Sequence, residues 1–172
     1  MTTETTTHDF APEASTTPHL RTLTSRMKNP AMVVPGAVKA LYGLGQSVHE
    51  QGVPASTLEL VHLRVSQING CGWCIDYGMR AARKAGESED RLAAVSAWRE
   101  SPFLSDAECA ALALSEAMTR IADSSDPVPD DVWAGATRYY DEQALAALVL
   151  HIAVTNVYNR LNVTVRQVPG TM

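Results

Sequence analysis

Two cysteines separated by two residues lie where two helical patterns meet. Asn69-Gly70 is a turn signal, and Cys71 and Cys74 open the pattern that follows it. Helical spacing of three places both sulfur atoms on one helix face, close enough for a reversible disulfide. Unpaired N–H groups and the positive end of the helix dipole stabilise a thiolate there, which favours reactivity. The sequence therefore predicts a redox centre at this turn.

The rest of the chain is typical of an all-α fold, because apolar residues recur at intervals of three and four. Pro35-Gly36 opens one such helix, in which Val38, Leu41, Leu44 and Val48 form one apolar stripe. The other helices are predicted over residues 55–68, 71–85, 88–99, 106–122, 130–139 and 141–163, with an ambiguous short helix over 20–29 that Pro30 would end. No convincing strand is found, and the pattern predicts a helical bundle.

Composition separates a tail from a domain. Residues 1–19 are rich in threonine and poor in large apolar side chains, so we expect a flexible tail followed by one domain over residues 20–172. The net charge of −5, without a basic run, argues against nucleic acid as a partner. The N-terminus lacks a signal-peptide pattern, and no apolar run approaches the length of a bilayer span. We therefore expect a cytoplasmic protein without a membrane partner.

Three interpretations of the cysteine pair compete: a redox centre, half of a zinc site, and buried packing residues. Zinc normally takes four ligands, often as a second short-spaced pair. Cys109 is the remaining cysteine of the chain and lies in an apolar helix, where a small core residue is expected. A close cytosolic pair is more often catalytic or metal-binding than structural. The redox interpretation is favoured, with no metal and no other cofactor.

Glu59 lies twelve residues before Cys71 and has two interpretations. Ser56 and Glu59 fit a capping box, in which the carboxylate reaches back to the backbone. The alternative is a proton acceptor that serves the thiols. In an antiparallel helical hairpin, Glu59 would lie two turns, roughly 10 Å, from the level of Cys74, so a relay would be needed. The same counting places His62 level with position 78, where an imidazole could bridge the two.

The run from Glu59 to Cys74, ELVHLRVSQINGCGWC, closely resembles the core of the carboxymuconolactone decarboxylase-like superfamily, and within it the AhpD-like alkylhydroperoxidase branch. The resemblance covers residues 35–86, and residues 156–161 resemble the last helix of that family. It implies an AhpD-like helical bundle that is the subunit of a homotrimer or hexamer. It also implies a peroxidase that reduces small organic hydroperoxides.

The resemblance assigns a role to each candidate residue. Cys74 would attack the peroxide and form a sulfenic acid, and Cys71 would close the disulfide before over-oxidation. A thiol, a dithiol or a partner redox protein would then reopen the bond. Glu59 would be the distal base of the proton relay.

One position departs from the family pattern, which usually continues CxxC-x-x-x-His. This chain has Gly78 there, so the relay imidazole is missing. Our hypothesis is that His62 supplies it from the opposite helix, and the alternative is a partly exposed histidine without a role. Two other functions stay open: a decarboxylase acting on a small lactone or acid, which would not need two thiols, and a non-catalytic redox-sensing oligomer.

Overall fold

Residues 21–170 are described by the computed structural model, and over this range the fold is helical without a strand. The helices are α1 (Pro30–Val33), α2 (Ala37–Ser47), α3 (Ala55–Ile68), α4 (Gly72–Lys84), α5 (Glu89–Ala94), α6 (Asp106–Thr119), α7 (Asp130–Thr137) and α8 (Glu142–Val165), with 3₁₀ segments at Val95–Glu100 and Ile121–Asp123. The predicted all-α class is confirmed. The tail predicted over residues 1–19 lies outside the described residues.

Helix α3 is the centre of the bundle and packs against α4, α6 and α8. Its core side chains are fully buried because their spacing turns them toward all three neighbours; they are Leu58, Leu60, Val61, Leu63 and Val65. Leu148 and Ile152 of α8 complete this layer. Each such side chain contributes roughly 1.5–3 kcal/mol when it leaves water. The rigid core therefore lies directly behind the turn that carries the cysteines.

The turn between α3 and α4 reverses the chain as predicted. Gly70 adopts a φ of 64°, a left-handed conformation that glycine reaches without a steric penalty. The backbone N–H of Cys71 donates to the carbonyl of Ser66 at 2.9 Å and closes the end of α3. Cys71 is then the N-cap of α4, so the cysteine pair begins this helix.

The short helix expected over residues 20–29 is wrong in its described part, because residues 21–29 are not helical. Helix α1 instead begins at Pro30, and the side chain of Asn29 accepts a hydrogen bond from the N–H of Ala31 at 2.9 Å. Proline suits the first helical position, where its fixed φ fits and no N–H is required. Pro30 therefore starts a helix rather than ending one.

The apolar stripe predicted on α2 is only partly buried: Val48 is buried and Leu41 is half-buried. Val38 and Leu44 are 45% and 40% exposed. Six apolar side chains on α1, on α2 and in the turn between them are exposed. We call them the α1–α2 apolar surface: Met32, Val33, Val34, Val38, Tyr42 and Leu44. The periodicity identified the helix correctly, but α2 turns much of its apolar side away from the core.

The expectation that no apolar segment approaches the length of a bilayer span is corrected by helix α8. It is 24 residues long, and within residues 21–170 it is the helix whose length and hydropathy would also suit a bilayer crossing. Half of its most apolar window is buried inside the molecule, and it packs against α2, α3, α4, α6 and α7. Its apolar character is thus accounted for by its position in the core.

A buried carboxylate joins α6 to α3. Glu116 accepts hydrogen bonds from Arg64 Nε at 2.7 Å and from Trp98 Nε1 at 3.0 Å, and it pairs with Arg99 at 2.8 Å. Burial alone would raise the pKa of Glu116, but these three donors outweigh it and lower the pKa to about 2. The carboxylate therefore stays ionised and holds the two helices together at neutral pH.

Candidate active site

Cys71 and Cys74 are joined by a disulfide, with their Cα atoms 5.3 Å apart. Both residues are 1% exposed. The N–H of Cys74 donates to the sulfur of Cys71 at 3.3 Å, and the side-chain amide of Asn162 donates to the sulfur of Cys74 at 3.3 Å. Each sulfur therefore has a hydrogen-bond donor, which is the arrangement that favours a thiolate once the bond is reduced.

The turn before the cysteines is held by amide side chains of α8. Asn69 donates to Asn156 and to Asn159, both at 2.9 Å. Asn159 in turn donates to the hydroxyl of Ser66 at 3.1 Å. The bond to Ser66 is buried and the two from Asn69 are partly buried, and such bonds hold one conformation because breaking one leaves a polar group unpaired away from water. The position of the cysteine pair is therefore fixed from α8.

His62 lies against α4 at the level of Gly78, as the helical count predicted. A Cβ atom on Gly78 would lie 2.8 Å from Cδ2 and 3.2 Å from Nε2 of the His62 ring. The imidazole thus fills the space that the glycine leaves. The structure brings the histidine to this place, while its catalytic role stays a prediction.

The contacts of His62 define its protonation. Nε2 lies 3.2 Å from the carbonyl oxygen of Cys74, and a carbonyl only accepts, so Nε2 carries the proton and Nδ1 is free to accept one. Burial lowers the pKa of His62, and the bond to the Cys74 carbonyl opposes this only in part. The neutral imidazole is therefore favoured at neutral pH. In the disulfide form the ring bonds to the backbone of Cys74, not to its sulfur.

Glu59 is not part of a capping box. Helix α3 begins at Ala55 after Pro54, so Ser56 lies inside the helix and cannot act as its N-cap. Burial raises the pKa of the half-buried Glu59 carboxyl, and the nearby charge of His49 opposes the shift. A raised pKa suits a proton acceptor better than a permanently ionised surface group. Proton transfer between Glu59 and the cysteines stays a prediction.

One cleft borders the cysteine pair, and a second lies farther along α4. One of about 660 Å³ is lined by residues 21–24, 70–73 and the segment that ends α8, and its wall includes Cys71 but not Cys74. The other, of about 550 Å³, runs along α4 beside Trp73 and Tyr77. These two rings stack with centroids 5.4 Å apart, and the edge of Tyr77 meets His62. The larger cleft therefore meets the pair on the side of Cys71, although the Cys71 side chain itself is almost fully buried.

Comparisons with known proteins show the family of this chain. The carboxymuconolactone decarboxylase family matches over residues 35–117, the segment that contains the cysteine pair. YdfG of Bacillus subtilis strain 168, an uncharacterized protein, is 38% identical over 131 residues, which cover 76% of this chain and 88% of YdfG. This chain belongs to the carboxymuconolactone decarboxylase family.

Solved structures of similar fold include members with the AhpD architecture. ATU0492 of Agrobacterium tumefaciens, of unknown function and with a suggested role as the antioxidant defence protein AhpD, has a TM-score of 0.79 at 31% identity; the match covers 87% of this chain and 100% of that one. The debrominase Bmp8 has a TM-score of 0.67 at 23% identity and covers 80% of this chain and 73% of its own. The second likeness shows the fold alone.

One residue beside the cysteine pair of this family member, Asn162, was not identified from the sequence. It lies 88 residues from Cys74, and nothing in its local pattern separates it from other polar residues of α8. The spacing of Asn156, Asn159 and Asn162 by three residues was the available signal, because it places three amides on one helix face.

His151 is a second buried imidazole behind this site. Its Nε2 donates to the carbonyl of Leu58 at 2.9 Å. Burial, and then the charge of His62, lower the pKa of His151 to about 4. His62 on the α4 side of α3 and His151 on its α8 side are therefore close enough that a charge on His62 disfavours a charge on His151. Within residues 21–170, no cluster of three or more His, Cys, Asp or Glu side chains is arranged to hold a metal ion.

Proposed function

We propose that this protein is a thiol-dependent peroxidase or disulfide oxidoreductase that acts on small organic hydroperoxides. The observation that carries the proposal is the disulfide between Cys71 and Cys74 at the start of α4, with a hydrogen-bond donor on each sulfur. Membership of the family and the likeness to an AhpD-type structure support the same assignment. A packing role for the pair would require neither the bond nor the adjoining cleft.

The proposed cycle begins with the reduced pair. The thiolate of Cys74 attacks the terminal oxygen of the hydroperoxide, so that an S–O bond forms, the O–O bond breaks and the alkoxide leaves as an alcohol after taking up a proton. The thiolate of Cys71 then attacks the sulfur of the sulfenic acid, which forms the disulfide and releases hydroxide as water. A thiol, a dithiol or a partner redox protein supplies two electrons and restores both thiols.

Two side chains would move the proton of Cys74. The neutral His62 ring, with Nδ1 free, has the form that accepts a proton from a neighbouring thiol. Glu59 lies one helical turn before His62 on α3, and its raised pKa lets it hold a proton at a higher pH than an exposed carboxyl would. In this proposal His62 takes the place of the imidazole that the family usually carries at position 78.

Thiol counting tests the redox function directly. Reduced protein is mixed with cumene hydroperoxide, and free thiols are counted by mass spectrometry in the wild type, Cys74→Ser and Cys109→Ser. We expect the wild type and Cys109→Ser to lose the thiols of Cys71 and Cys74, and Cys74→Ser to keep the thiol of Cys71. Retention of both thiols in the wild type would refute the proposal.

The role of His62 has its own test. His62→Gln keeps a hydrogen-bonding side chain but removes the titrating ring, so we expect a higher pKa for the Cys74 thiol and slower turnover by roughly 10²-fold, typical of general base loss. An unchanged thiol pKa together with unchanged turnover would leave His62 without a catalytic role.

A further inference from the structure

We propose that Asn162 is a catalytic residue of this centre, which stabilises the thiolate of Cys74, and that Asn29 is the positioning residue that turns the Asn162 amide toward the sulfur. The inference rests on the proposed function and deepens it. It starts from a contact that joins the last helix to the reactive sulfur: Asn162 Nδ2 lies 3.3 Å from Cys74 Sγ, and Asn162 is only 5% exposed.

The direction of the amide is set by a chain of hydrogen bonds that begins at a backbone N–H. The N–H of Ala31 can only donate, so the atom of Asn29 that faces it at 2.9 Å must be the oxygen Oδ1. The Nδ2 group of Asn29 therefore faces Asn162 at 2.6 Å, and the atom that receives it must be the oxygen of Asn162. The N–H₂ group of Asn162 is left pointing at Cys74.

Reversing either amide would bring two donors or two acceptors together. A reversed Asn29 would set its N–H₂ group against the N–H of Ala31, and a reversed Asn162 would set its oxygen against the Cys74 sulfur. Asn29 is the N-cap of the four-residue helix α1, and more than forty residues separate it from Cys74. It nevertheless sets which atom of the Asn162 amide faces the Cys74 sulfur.

The hydrogen bond gains strength when the sulfur becomes charged. A disulfide sulfur is a weak acceptor, whereas a thiolate accepts a charge-assisted bond that is about twice as strong as a neutral one. Asn162 therefore stabilises the reduced, ionised Cys74 more than the disulfide form. Two consequences follow: the pKa of the Cys74 thiol falls, and Cys74 becomes the better leaving group when the disulfide is opened.

The position of the cleft fits this division of roles. The wall of the 660 Å³ cleft includes Cys71, so the thiolate of a reductant would attack the Cys71 sulfur. A bond forms between the reductant and Cys71, the Cys71–Cys74 bond breaks, and its electron pair stays on Cys74, where the Asn162 amide meets it. A second thiolate of the reductant then attacks the reductant's sulfur, and Cys71 leaves as a thiolate that takes up a proton.

Titration of a single thiol tests the role of Asn162. In a Cys71→Ser, Cys109→Ser background, the rate of alkylation by iodoacetamide is measured against pH, so that the inflection reports the pKa of Cys74. We expect Asn162→Leu to raise this pKa by about one unit, because it removes the donor while keeping the volume. Ser115→Ala, which removes a buried polar group of α6 far from the thiols in sequence, should leave it unchanged.

Asn29→Asp separates orientation from structural support. Aspartate is as good an N-cap as asparagine, so α1 should persist. Its carboxylate has no N–H₂ group, so Asn162 must turn its own amide toward position 29 and its oxygen toward Cys74. We expect the pKa of Cys74 to rise by one unit or more, with the helical circular dichroism unchanged. The new negative charge also raises the thiol pKa, so Asn29→Asp is made in the Asn162→Leu background as well, where the charge acts alone. If Asn29 has no orienting role, the rise in the thiol pKa is the same in both backgrounds; if it orients Asn162, the rise is larger where Asn162 is present.

The outcomes distinguish this inference from the function on which it rests. If Asn162→Leu folds and keeps the original thiol pKa, the role of Asn162 is refuted, whatever the reaction with cumene hydroperoxide. If Asn162→Leu does not fold, Asn162→Ala, which also lacks the donor, takes its place in both measurements. Because alkylation needs no peroxide, a rise in pKa would support the thiolate role even if the wild type failed to reduce hydroperoxides.

Discussion

Replacing Gly78 by alanine adds one methyl group at the point where the His62 ring meets α4. The new Cβ would lie 2.8 Å from Cδ2 of the ring, whereas carbon atoms in contact are about 3.5–4.0 Å apart, so the ring must move. Such overpacking costs about 1–3 kcal/mol, and alanine is favoured over glycine inside a helix by about 1 kcal/mol. We therefore expect Gly78→Ala to lower the free energy of unfolding by about 0–2 kcal/mol.

Removal of the ring should reverse the sign of this effect. In a His62→Ala background the methyl group meets open space, so Gly78→Ala should raise the free energy of unfolding by about 1 kcal/mol. The effects of the two substitutions on the free energy of unfolding then deviate from a simple sum by about 1–3 kcal/mol. This deviation is larger than the one found for substitutions at independent sites. Urea unfolding of the wild type, both single variants and the double variant, followed by circular dichroism, measures the coupling.

Gly135→Ala is the matched control, because a Cβ on that helical glycine meets no atom within 4 Å. It should stabilise the protein equally with and without the His62 ring. If Gly78→Ala also stabilised both backgrounds equally, the ring would not occupy the space beside Gly78, and the replacement of the missing family imidazole by His62 would lose its structural basis.

Three further expectations follow from other parts of the fold. Glu116→Gln should lower the free energy of unfolding in urea by about 3 kcal/mol because it leaves the buried Arg64 without its charge partner, whereas Glu89→Gln at an exposed pair should change little. Burial lowers the pKa of His151 to about 4, whereas an exposed histidine has a pKa of about 6.5. Between these two pH values the unfolded state binds a proton that the folded state does not, so the free energy of unfolding should fall by up to roughly 3 kcal/mol as pH drops from about 6.5 to 4. His151→Gln should flatten that pH profile. If the homo-oligomer that the family resemblance implies forms through the α1–α2 apolar surface, Val38→Asp should dissociate it in sedimentation, and a wild type that sediments as a monomer would contradict the assembly.

Local patterns predicted the parts of this protein that depend on neighbours along the chain. Helix α3 begins and ends where its apolar spacing and the signal at Asn69 placed it, and the antiparallel count put His62 beside Gly78. The same local reasoning left open a capping box at Ser56 and Glu59, which the structure lacks because the N-cap of α3 is Pro54, two residues earlier. Cap signals describe which residues could begin a helix, and the neighbouring backbone selects among them.

Packing decided the direction in which each predicted helix faces. The period of α2 identified an apolar stripe, but periodicity carries no information on whether a stripe meets the core or remains exposed. Val38 and Leu44 show the second outcome. The apolar length of α8 was ambiguous for the same reason, since a core helix and a membrane span have similar composition.

The cysteine pair, its helix start and its place in the family were determined by the sequence alone, because spacing and turn chemistry act over a few residues. The environment of the two sulfurs was not. The amide that donates to Cys74 belongs to Asn162 of α8, 88 residues later in the chain. Asn29, which orients that amide, precedes Asn162 by 133 residues. Only the packing of α1, α4 and α8 brings these groups together, because hydrogen-bond partners of buried side chains depend on distance in space and leave no period in the sequence.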